Sequence, residues 1–246
     1  KEVDDAVVLF MNKSYATDKE YPDFVREHLP LETLPDVLGD QMKVIMPSYF
    51  KDGYVDKKDL KDKLLQCDEK LVLAYIDELD IVMHKEGPYG EKAKEKLEEL
   101  NAWVEDLCKS IEDKTGVIVI ADHGQIEVQE KCLKEHPEVL ACLERSPVLE
   151  ARCMGLYVKE GMKEVFEERF REAYNDIYTL MSREEVLHMN LLGVGERHPR
   201  LEEFMGDYLA IGTHTVSLVM EERGIKGDHA GILEGEMKIP VMVYPK

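Results

Sequence analysis

At 246 residues, 44% of them hydrophobic, the chain is long enough to bury a substantial core and is read as one α/β domain over residues 1–246, with about 131–205 as a cap or inserted segment. Acidic residues outnumber basic ones 52 to 32, and the formal net charge of −20 argues against nonspecific binding to nucleic acid or to an anionic membrane surface. A phosphate-bearing substrate then needs a local positive source, which bound metal cations can supply.

The five cysteines (Cys67, Cys108, Cys132, Cys142 and Cys153) are odd in number and contain no CxxC pair, a pattern of a reducing compartment more than of a disulfide framework. No apolar run approaches the roughly 18 residues of a membrane span. KEVDDAVVLF, the first ten residues, has neither the charged start nor the apolar core of a signal peptide. The expected compartment is the cytoplasm, and no membrane partner is expected.

Short β-rich apolar runs alternate along the chain with longer charged stretches of helical period: AVVLF (6–10), KVIM (43–46), LVLAYI (71–76), VIVIA (117–121), GLYV (155–158), YLAIG (208–212), VSLVM (216–220) and VMVY (241–244). The alternation predicts an α/β sheet with helices on both faces. Between the third and fourth runs, Leu97, Leu100, Val104, Leu107 and Ile111 recur at spacings of three and four, an amphipathic crossover helix stopped by Gly116. A second helix is predicted over MKEVFEERFREAYNDIYTLM, with Val165, Phe166, Phe170, Ala173 and Ile177 on its core side. Residues 182–206, which contain GVGERHPR, read as a loop.

The apolar run of GVIVIADHGQ stops at Asp122, His123 and Gly124. Residues at the carboxyl ends of strands in open α/β sheets face the crevice where ligands bind. Asp and His offer an oxygen and a nitrogen ligand, and Gly124 allows a sharp turn or a close backbone approach. The tripeptide alone is equally a structural turn. The preceding strand leads into LVLAYIDELDIVMHKEGPYG, where Asp80 and His84 fall on one helix face at i, i+4, a spacing suited to two metal ligands and also to a helix-start ion pair. IKGDHAGILEGEMKIPVMVY places His229 between small residues, where a turn residue is the plainer reading.

Taken together, the three stretches resemble in order and spacing the alkaline phosphatase superfamily, and in particular its type I phosphodiesterase/nucleotide pyrophosphatase branch. Tyr75, Gly87, Pro88 and the closing segment GDHAGILEGEMKIPVMVY are similar to that branch as well. The resemblance implies two divalent ions, zinc in the first place with manganese as the alternative. Asp80, His84 and His229 would hold one ion, and Asp122 and His123 would lie on the other. It implies a metal-dependent phosphoric ester hydrolase acting on a phosphodiester or nucleotide pyrophosphate bond, with a small phosphoester, such as a nucleotide, as partner.

One departure stands against these matches. The family's opening strand, which ends in an Asp ligand and is followed by a Thr or Ser nucleophile, has no convincing copy. Ser14, Thr17 and Ser48 read as loop or cap residues. The chain is therefore expected to be the C-terminal portion of a longer enzyme, lacking the N-terminal part of the fold and the nucleophile, with the resemblance strongest over 70–130 and 205–246. The alternatives are a related phosphomonoesterase, phosphonate hydrolase, phosphopentomutase or sulfatase, and, from another class, a noncatalytic metal-binding domain. A Rossmann-like module is disfavoured because no GxGxxG follows a first strand. His28, His136, His188 and His198 read as surface residues and His214 as a loop residue, while Lys85, Tyr89, Arg197 and Lys226 are offered as substrate contacts.

Overall fold

The computed structural model describes residues 32–45, 56–111 and 115–245, together with the backbone of two short strands, β1 (Val7–Val8) and β2 (Lys13–Ser14). His28, Thr17, Ser48 and the Ser14 side chain lie outside the described residues. The chain divides into two units, one of Lys1–Pro47 with Asp62–Tyr75, the other of Ser48–Lys61 with Ile76–Lys246.

In the first unit β1 and β2 pair antiparallel. A short helix, α1 (Leu34–Leu38), starts where the Thr33 backbone N–H donates to Asp36 at 2.9 Å, satisfying a group that the helix start would otherwise orphan. It leads to β3 (Met42–Ile45), which pairs in parallel with β4 (Leu71–Ala74), Met42 facing Leu71 and Ile45 facing Ala74. These strands fall on the predicted runs KVIM and LVLAYI. Helix α2 (Lys57–Leu64) is divided between the two units.

The second unit opens with α3 (Glu78–Glu86) and the predicted crossover helix, α4 (Glu91–Ser110). Leu107 of its apolar stripe is buried, whereas Leu97 is 55% exposed. β5 (Val117–Ile120) pairs antiparallel with the last strand, β14 (Val241–Tyr244), Ile120 opposite Val241. Two further pairs follow the DHG segment. β6 (Ile126–Glu127) pairs with β13 (Gly227–Asp228), and β7 (Gln129–Cys132) runs parallel to β12 (Val216–Val219). A four-stranded antiparallel sheet completes the unit in the order β10 (Tyr178–Ser182), β11 (Tyr208–Gly212), β9 (Cys153–Leu156), β8 (Val148–Glu150).

Helix α6 follows the four-residue helix α5 (Pro137–Leu140), runs over Lys163–Tyr174, and lays Phe166, Phe170 and Tyr174 into a core shared with Met154, Leu156, Tyr178 and Leu218. Burying each such side chain contributes about 1.5–3 kcal/mol. This helix is shorter than the predicted one. Asn175 and Asp176, whose side chains compete for backbone hydrogen bonds, end it, and the β-rich YTLMS that follows pairs with all five residues of β11 as β10. The 182–206 stretch is also not loop throughout. Ser182 accepts from the Glu185 N–H and caps α7 (Arg183–His188), and α8 (Leu201–Met205) follows later.

The architecture is the mixed α/β arrangement expected. Among the described residues no helix is long and apolar enough to cross a membrane. The five cysteines form no disulfide.

Candidate metal centre

Helix α3 carries Asp80 and His84 one turn apart, so both side chains leave the same face. His84 Nδ1 is 2.7 Å from the Gly227 carbonyl, which can only accept, so Nδ1 carries the proton. The other ring nitrogen, Nε2, then faces Asp80 Oδ1 at 3.3 Å. The Lys226 N–H donates to the His84 carbonyl at 2.8 Å, so the strand before His229 is tied to α3 through both backbone and side chain.

β13 delivers His229, whose Nε2 lies 3.9 Å from the same Asp80 oxygen. Asp80, His84 and His229 each present a ligand atom, all within 4.8 Å of one another. Asp80 Oδ1 is buried and, among the described residues, has no hydrogen-bond partner, although His84 Nε2 lies 3.3 Å away. A buried carboxylate oxygen without a hydrogen-bond partner, beside two imidazole nitrogens, makes a donor set of the kind that holds a divalent cation.

The DHG segment contributes differently. His123 stacks on His229 with ring centroids 3.7 Å apart and planes 18° from parallel, and its Nδ1 is 3.0 Å from the Gly124 carbonyl. Asp122 Oδ1 is 3.7 Å from His123 Nε2, with its side chain 57% exposed. The structure thus brings Asp80, His84 and His229 into one cluster and His123 against it by ring stacking, with Asp122 on the open side. Gly124 serves a close approach to the chain itself: a Cβ there would lie 2.1 Å from the Gly235 carbonyl oxygen, and the Gly124 N–H donates to the Glu236 carbonyl at 2.8 Å.

The charges respond to this packing. Burial opposes ionisation of Asp80, but the His84 imidazole beside it, with His229 and His123, holds its carboxyl below the ordinary range. Asp80 in turn raises His84 against the effect of burial. His229 moves the other way, lowered by burial and then by the His123 imidazole.

Several supporting residues escaped the sequence reading. Asp228 Oδ1 accepts the His229 N–H at 3.0 Å, and its Oδ2 accepts the buried Ser217 hydroxyl at 2.6 Å. Beyond it, a buried ion pair joins Arg152 to Glu236 of α9 (Glu234–Met237). The pair spans 84 residues, so nothing local in the sequence announces it. Arg197 donates to Asn190 Oδ1 at 3.0 Å within its own loop, Lys226 Nζ is 3.8 Å from Glu86, and Lys85 and Tyr89 are exposed.

Fold and cluster together define an α/β protein with a candidate divalent-metal centre. The chain belongs to the type I phosphodiesterase/nucleotide pyrophosphatase family, whose model matches residues 5–229. The match runs through the segment before β4 and through 131–205, where the sequence motifs resemble the family poorly. Its fold is similar to that of murine ectonucleotide pyrophosphatase/phosphodiesterase 5, at a TM-score of 0.66 and 13% identity over 85% of this chain and 61% of that one. An inactive form of the murine protein in complex with AMP matches at 0.66 and 14%, with the same coverage. The human ectonucleotide pyrophosphatase/phosphodiesterase 5 matches at 0.63 and 15%, over 86% of this chain and 62% of that one. At these identities the likeness is one of fold, and the chain spans about 61% of the length of the murine structures. No curated protein matches the chain.

Proposed function

We propose that the chain serves metal-dependent hydrolysis of a phosphoric ester, with a phosphodiester or nucleotide pyrophosphate as substrate. In this reading Asp80, His84 and His229 hold one divalent ion, zinc in the first place, and Asp122 and His123 contribute to a second. Bound there, such ions would supply positive charge to the oxygens of a phosphoryl group during in-line displacement. The chain's own part is to hold the donors in place. The Gly227 carbonyl fixes the His84 tautomer so that Nε2 is the ligand atom, an outer bond of the kind that orients metal-binding histidines. Asp80 brings the negative charge to the cluster.

The observation that carries the reading is the buried, unpartnered Asp80 Oδ1 between His84 and His229. Family membership supports phosphodiesterase-type chemistry. The AMP bound to the murine relative supports a nucleotide as the substrate class.

The test is metal content and zinc titration of the chain and of an Asp80→Ala, His229→Ala double variant, followed by zinc-dependent binding of bis(p-nitrophenyl) phosphate against p-nitrophenyl phosphate. Zinc or manganese bound by the chain and lost by the variant, with the diester preferred, is the expected result. A chain that takes up no metal overturns the reading, and preference for the monoester moves it to a sister activity.

A further inference from the structure

We propose that the buried Arg152–Glu236 ion pair is a positioning device that sets the ring of His123 against that of His229; its consequence for metal binding rests on the function proposed above. Both side chains are almost fully buried. Arg152 Nε donates to Glu236 Oε1 at 2.5 Å and Nη2 to Oε2 at 2.8 Å, a bidentate fork. Arg152 Nη1 donates to the carbonyls of His214 and Val216, both at 2.7 Å, anchoring the fork in the turn between β11 and β12.

Glu236 is bonded to the loops of both histidines. Its carboxylate accepts the Gly231 N–H at 2.7 Å, two residues beyond His229, and the Leu233 N–H at 3.1 Å. Its main-chain carbonyl accepts the Gly124 N–H at 2.8 Å, one residue beyond His123. The two loops therefore share one anchor, and the two rings meet at 3.7 Å. The space admits no slack: a Cβ at Gly231 would lie 2.7 Å from Arg152 Nη2 and from Glu236 Oε2.

Stability is a poor explanation for this pair. Removing two charges from water is costly, and apolar side chains of similar volume often stabilise a fold as well or better. What an apolar pair cannot do is accept two loop N–H groups while holding a fixed angle to a third segment. Glutamine at 236 fails for a related reason, because its NH2 replaces one acceptor with a donor that faces either Arg152 or a loop N–H.

The experiment uses the full chain and reads histidine imidazole resonances by long-range 1H–15N NMR, first metal-free and then with zinc added, beside thermal melting. The variants are Glu236→Gln and the apolar pair Arg152→Met with Glu236→Met. The expected result is that both displace the His123 and His229 resonances in the metal-free protein while those of His136 and His188 stay in place, and that zinc affinity falls roughly 10–100-fold, as for lost outer-shell partners. If Glu236→Gln does not fold, Arg152→Lys, which keeps the charge without the fork, is read the same way. Folded variants whose His123 and His229 resonances match those of the unsubstituted chain overturn the proposal, whatever their melting temperature. Zinc that moves no histidine signal of the unsubstituted chain overturns the metal reading instead, and the metal-free spectra still judge the positioning role.

Discussion

Nε2 of His84 faces Oδ1 of Asp80 across 3.3 Å, one helical turn apart, and that oxygen has no hydrogen-bond partner among the described residues. The i, i+4 spacing brings the two groups together, and the Gly227 carbonyl turns the ring so that a lone pair, not a proton, is offered by neutral His84. Asp80→Asn keeps the size of the side chain and removes its charge. Zinc affinity measured by competition with a chromophoric chelator is expected to fall by more than the roughly 10–100-fold typical of an outer-shell partner, with the fold retained by circular dichroism. Unchanged affinity would remove Asp80 from the centre.

Gly124→Ala places a methyl group where the Gly235 carbonyl already stands, 2.1 Å away, and that neighbour is backbone. The expected loss is about 1–3 kcal/mol in chemical denaturation, the range for overpacking, accompanied by weaker zinc binding because the His123 loop must shift. Gly116→Ala is the control. Its nearest contact would be the Tyr244 carbonyl at 3.9 Å, and its stability is expected to change little.

The Tyr178 hydroxyl accepts the Leu218 N–H at 3.0 Å and lies 2.9 Å from the Ala151 carbonyl and 3.1 Å from that of Val216. Tyr178→Phe leaves the Leu218 N–H buried without an acceptor. A loss of about 1–3 kcal/mol is expected by urea denaturation, with zinc affinity close to that of the unsubstituted chain.

Asp207 carries the pH dependence most open to test. Burial opposes its ionisation, but Lys163, the Val158 N–H and Arg183 outweigh it and hold the carboxyl below the ordinary range. Lys163 Nζ is 2.8 Å from Oδ1, and the Val158 N–H donates to Oδ2 at 3.0 Å. Because the folded value is the lower one, the stabilisation is fully present above the unfolded value of about 3.9 and is lost as pH falls through the folded value. Asp207→Asn should narrow the stability gap to the parent as pH falls below about 4. A gap that stays constant on acidification would show that Asp207 acts through packing alone.

Much of the centre was readable along the chain because its signals are local. Four-residue spacing puts Asp80 and His84 on one helix face whatever the rest of the fold does, and the apolar run before Asp122 marks a strand end from composition alone. The positions of the strands later observed as β3, β4, β5, β11, β12 and β14 follow in the same way from short β-rich runs. The apolar stripe of MKEVFEERFREAYNDIYTLM continues through Ile177 and so predicts a longer helix, whereas pairing with β11 claims the residues from Tyr178 onward for a strand.

Convergence is another matter. His229 reaches Asp80 and stacks on His123 through the pairing of β13 with β6 and the bonds of Lys226 and Gly227 to His84, and Arg152 finds Glu236 across 84 residues. Residue identity and local period carry helix faces, strand ends and ligand chemistry. Which distant groups meet, and which carboxylate oxygen is left buried without a partner, follows from packing among segments whose separation in the chain leaves no periodic trace.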